Sequence, residues 1–219
     1  MTRSLLLLLF TLFVCGCSQS NPIPDLKLSN QTLTNANLED LGNKLNELDT
    51  VLQNVSPKVH ARLLPPADDD SIRALREALG DIQNDYLELW FTWHDGSTGG
   101  SAGLLPLGGA LTSSEAIADR ELNRSIPGLM PRRHHDIKLL DDGAGDGFFL
   151  DLSSPHGNVY YEMLEDPFPQ SYGNFSQFLD FLHAVHKAGI ADINPRGVVV
   201  FDESAYRSLE ANHFGEIGR

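Results

Sequence analysis

The sequence predicts an α+β fold, a central and mostly antiparallel sheet with helices packed on one side. Three short apolar runs, Ile137–Leu140, Phe148–Leu152 and Val159–Tyr161, are separated by turns carrying Gly143, Gly145 and Gly147 and then Pro155 and Gly157. Short glycine-bearing connections between such runs make consecutive hairpins, hence an antiparallel meander. On either side, apolar residues recur at helical spacing. Leu38, Leu41, Leu45, Leu48, Leu52 and Val55 precede the runs, and Phe175, Phe178, Leu179, Leu182 and Val185 follow them, giving two stripes able to cover an apolar sheet face. Within the second run, alternation points Phe148 and Leu150 inward and Phe149 and Asp151 outward.

Taken in order, the chain opens with a processing signal over residues 1–16. Arg3 supplies the positive start and Leu5–Val14 an apolar run too short to span a bilayer. Val14-Cys15-Gly16-Cys17-Ser18 then looks like a bacterial lipobox, which makes Cys17 the acylated first residue of the mature protein. Ordinary secretion without lipid is the alternative. Ser18 after the lipidated residue resembles the pattern sorted to the outer membrane, so the expected location is the cell envelope, outer rather than inner membrane, facing the periplasm. Both cysteines lie at or before residue 17, so the processed chain has no pair for an internal disulfide.

Residues 17–34 are polar, with two prolines, and read as a tether. The stripe within 35–63 makes an amphipathic helix ended before Pro57, too short for a sustained coiled coil and better suited to docking on the domain. Residues 64–219 form that domain. After Leu64-Pro65-Pro66, Asp70 or Ser71 caps a helix bearing Ile72, Leu75 and Leu79, with Gly80 as its stop. A second helix, Asn84–His94, aligns Tyr86, Leu89, Trp90 and Trp93. Ser97–Gly109 is a glycine-rich connection without the Lys-Ser/Thr ending of a phosphate loop. Ser113 or Ser114 caps a helix over Glu115–Arg124. Beyond the meander, Asn174 caps Phe175–Ala188, which Gly189 ends; Val198–Phe201 reads as a strand and Ser204–Asn212 as a closing helix.

The charge narrows the partners. Sixteen basic and 30 acidic residues give a net charge of −14, which repels nucleic acid and anionic lipid and suits a basic protein partner. Asp141, Asp142, Asp146 and Asp151 gather near the glycines, but they lack the alternating ligands and terminal glutamate of a calcium loop and read as turn formers. His134-His135-Asp136, and His183 with His186 on one helix, offer metal ligands without a third partner at suitable spacing. The serines lie in turns and caps rather than on a strand-to-helix nucleophile elbow. Glu162 and Glu165 are the carboxylates on which glycan hydrolysis would rest. No metal and no cofactor is expected.

A resemblance emerges from the order of motifs. Leu79-Gly80, Asp85-Tyr86, His94-Asp95-Gly96, Gly143-Ala144-Gly145-Asp146, Leu150-Asp151-Leu152, Gly157-Asn158-Val159 and Phe175–Leu182 together resemble the SUKH superfamily, which includes a fungal cell-wall assembly regulator and many bacterial immunity proteins. The likeness spans roughly 65–189. The chain departs from it at Asp81–Asn84, where the family often has proline, and at Arg132–His135, where it commonly has tryptophan. The resemblance implies a helix-covered antiparallel sheet, no catalytic apparatus, and action by binding another protein. The expectation is therefore a lipid-anchored immunity or interaction module. Its partner is a protein, with a basic toxin the leading candidate, and Asp141, Asp142 and Asp146 are the candidate contact residues. An envelope enzyme such as a cell-wall hydrolase, or a structural lipoprotein, is the alternative.

Overall fold

The computed structural model of the protein describes residues 32–80, 84–98, 103–105, 108–125, 136–163 and 168–215. The lipobox with Cys17, nearly all of the tether, His134, His135 and Glu165 lie outside the described residues. No helix among the described residues is long and apolar enough to cross a membrane.

Five strands run antiparallel in chain order: β1 (Gly109–Ala110), β2 (Asp136–Asp141), β3 (Gly147–Asp151), β4 (Asn158–Glu162) and β5 (Gln170–Asn174). The three predicted runs are β2, β3 and β4. At the edges β1 and β5 extend the meander, although β5 reads Gln-Ser-Tyr-Gly-Asn and has no apolar periodicity. A separate two-stranded ribbon pairs β6 (Ala191–Ile193) with β7 (Val199–Phe201).

The helices are α1 (Asn35–Val55), α2 (Pro57–His60), α3 (Asp69–Ala78), α4 (Asp85–Trp93), α5 (Ser113–Ser125), α6 (Phe175–Lys187) and α7 (Glu203–Phe214). Their starts follow from side-chain oxygens that satisfy otherwise orphaned first-turn amides. Asn84 accepts from Leu87 N, and Asn174 forms a reciprocal capping box with Gln177. Two caps lie elsewhere than expected. Asp68, not Asp70 or Ser71, opens α3. For α5, Thr112 Oγ1 accepts from Glu115 N at 3.1 Å while Glu115 Oε2 accepts from Thr112 N at 2.8 Å.

The apolar sheet face packs on α6, where Phe148 meets Phe178 with ring centroids 5.6 Å apart. Trp90 of α4 reaches Phe175 and Phe178 of the same helix. Next, α1 lies along α6, burying Leu41, Leu45, Leu48 and Leu52 and placing Lys44 Nζ 2.5 Å from Asp180. The first stripe is thus a docking face, and one hydrophobic core runs through α1 and the domain that follows it.

Phe149 faces away from Phe148, as the alternation predicts, but that second face is covered rather than exposed. Phe149 is 1% exposed, stacked on Tyr160 at 5.6 Å, with the Lys138 ammonium 5.3 Å from its ring. Here α5 lies against β2 and brings Asp119 to 3.5 Å from Lys138. The strand is covered on both faces, and the second face is partly polar.

Candidate functional site

The three candidate contact aspartates sit at the β2–β3 turn, which presents Gly143 and Ala144 to solvent while the aspartates are half-buried. Asp141 Oδ2 pairs with Lys138 Nζ at 2.6 Å, and its Oδ1 accepts from Gly143 N. Asp142 Oδ1 accepts from Ala144 N at 2.7 Å and from Asp146 N at 3.2 Å. These are the local carboxylate–backbone bonds by which Asx turns are built. Two of the three carboxylates therefore shape the turn, whose protruding part is Gly143-Ala144.

Several motif residues hold elements together. Asp85 Oδ2 accepts from Leu33 N at 2.6 Å and fixes the entry to α1. Tyr86 packs on Phe175 at 5.6 Å and lies directly over Gly157, where an added Cβ would come within 2.9 Å of the ring. Asp95 Oδ1 accepts from Ser113 N at 2.6 Å, tying the end of α4 to the start of α5. Beside Tyr86 an open cleft is lined by Leu33, Asn37, Asp40, His156, Asn174 and Ser176.

His186 is a core residue. Leu104 carbonyl can only accept, so Nε2–H donates to it at 2.8 Å, and Nδ1 lies 3.1 Å from Ser56 Oγ. Burial pulls its pKa down to about 4, partly offset by the bond to Leu104. His183, one turn earlier, is half-buried and does not share its surroundings. Glu162 is fully buried, so that carboxylate is not on a surface that a wall polymer reaches. Burial likewise raises the Tyr161 hydroxyl to about 12.

Sequence reading missed one constellation. Asp49 of α1, His60 at the end of α2 and His94 just after α4 place one ligand atom each within 4.8 Å of one another. Both histidine Nε2 atoms lie 3.1 Å from Asp49 Oδ1. His94 Nδ1 is 2.6 Å from Leu64 O, and Gln53 Nε2 donates to Asp49 Oδ2 at 2.7 Å. Trp93 covers one side of His94 with centroids 4.7 Å apart. All three side chains are half-buried. His94 was visible as part of a motif, but nothing local in the sequence joins it to Asp49.

No family model matches the chain, and no curated protein matches it.

Proposed function

We propose that the protein is a lipid-anchored component of the bacterial envelope whose SUKH-like domain binds another protein, as an immunity or interaction module. The observation that carries the reading is the placement of the motif residues. Gly143–Asp146 forms the β2–β3 turn, Leu150-Asp151 lies in β3, Asn158-Val159 opens β4, and Phe175–Leu182 lies in α6. They build one sheet-and-helix unit, as residues shared for the sake of a fold should. The net charge of −14 adds a long-range field that speeds encounter with a basic partner. Cys17 supplies the anchor, and the chain from it enters the domain at α1, which docks on α6.

The test uses detergent-solubilised full chain as bait in envelope extracts. A discrete basic protein is expected to be retained at low salt, with retention falling as salt rises. Ala144→Arg places a positive charge at the exposed tip while keeping every internal carboxylate bond, and is expected to lower retention about tenfold or more. Repeated recovery of no partner, or a partner insensitive to salt and to Ala144→Arg, contradicts the reading. Radiolabelled palmitate incorporation is expected in the wild type and lost in Cys17→Ala; incorporation that survives the substitution removes the anchor.

A further inference from the structure

The geometry points to a divalent transition-metal site, of the zinc class, held by Asp49, His60 and His94 at the junction of α1, α2 and α4. The first argument is hydrogen-bond bookkeeping. Leu64 O only accepts, so His94 Nδ1, 2.6 Å away, carries the proton and donates. In the neutral ring Nε2 then holds a lone pair, and it faces Asp49 Oδ1 at 3.1 Å, an atom that also only accepts. Two acceptors at that distance call for a cation. A metal ion satisfies both, together with His60 Nε2, which is 3.1 Å from the same oxygen and 3.4 Å from Gln53 Nε2.

The distances fit. Zinc bonds to imidazole nitrogen and carboxylate oxygen are about 2.0–2.2 Å, so ligand atoms in a tetrahedral shell lie roughly 3.4 Å apart. The two nitrogen–oxygen separations of 3.1 Å fall close to this value. The surroundings fit as well. Histidine ligands characteristically donate their other N–H to a carbonyl, and ligating carboxylates are themselves hydrogen-bonded. Leu64 O does the first and Gln53 Nε2, donating to Asp49 Oδ2, does the second. Three protein ligands leave a fourth position, which the half-buried rings leave open to water or to a donor atom from a partner.

The competing structure is a proton in place of the metal, a His94 imidazolium paired with Asp49. Metal-stripped full chain, purified in detergent, separates the two on titration with Zn²⁺ or Co²⁺ against a chromophoric chelator. One equivalent bound per chain is expected, with intense visible Co²⁺ bands of a four-coordinate nitrogen and oxygen shell and a melting temperature that rises with free Zn²⁺. His60→Ala/His94→Ala should abolish the stoichiometric binding, whereas His134→Ala/His135→Ala should leave it intact. Gln53→Leu keeps every ligand and should weaken affinity about 10–100-fold, with unchanged circular dichroism. No stoichiometric binding by the wild type, or binding that survives His60→Ala/His94→Ala or is unaltered by Gln53→Leu, overturns the site.

Discussion

His186, buried with both ring nitrogens engaged, makes stability depend on pH. Its folded pKa of about 4 lies below the ordinary 6.5, so as pH falls the unfolded chain takes up the proton first. The contribution is complete above about 6.5, declines between 6.5 and 4, and is exhausted below, amounting to about 3 kcal/mol. Denaturant titrations across that window should show His186→Gln losing less stability than the wild type. Gly157 makes a second test, because φ is +60° and Tyr86 occupies the space of a side chain. Gly157→Ala should cost about 1–3 kcal/mol in urea unfolding. Buried Lys138 pairs with Asp141 and approaches Asp119. Lys138→Met, which leaves two partly buried carboxylates without their cation, should cost about 2–3 kcal/mol. The residue scale is where the sequence was least legible. Asp49 lies 11 residues from His60 and 45 from His94, on a different helix from either. No spacing rule links them; only the docking of α1 brings them together. The burial of Phe149 was hidden similarly, since alternation records two faces but not whether a helix covers the second.

Elements with strong local chemistry were legible. The Leu41–Leu52 stripe, the Asn174 cap, and the glycine turns before β3 and β4 all specify structure within a few residues. Where several capping side chains compete, as at Asp68-Asp69-Asp70-Ser71 or Thr112-Ser113-Ser114, composition leaves the choice to neighbouring packing. Short strands β1, β5 and β6 owe their conformation to the partner beside them, which no local pattern encodes. Two measurements follow at this scale. Leu48→Ala removes a fully buried side chain between α1 and α6 and should destabilise by about 2–5 kcal/mol. Lys44→Ala at the same junction loses only a partly exposed ion pair and should cost less than about 1 kcal/mol.

At the scale of the whole molecule, one continuous core joins α1, the α6-covered sheet and α7 among the described residues. The acidic balance belongs to this scale too, because steering depends on summed charge rather than on any single carboxylate. Asp141 and Asp142 are committed to the turn itself, which shifts the expected contact from their carboxylates to the protruding Gly143-Ala144 tip. The most direct measurement is cross-linking in intact envelopes from a photoreactive residue placed at Ala144, compared with one at the exposed Lys58 on the α2 side. A discrete adduct with one basic protein, formed from position 144, absent from position 58 and weakened by salt, is the predicted result. Equal diffuse labelling from both positions, or no adduct from 144, would contradict the proposal that the protein is a binding module acting through that turn.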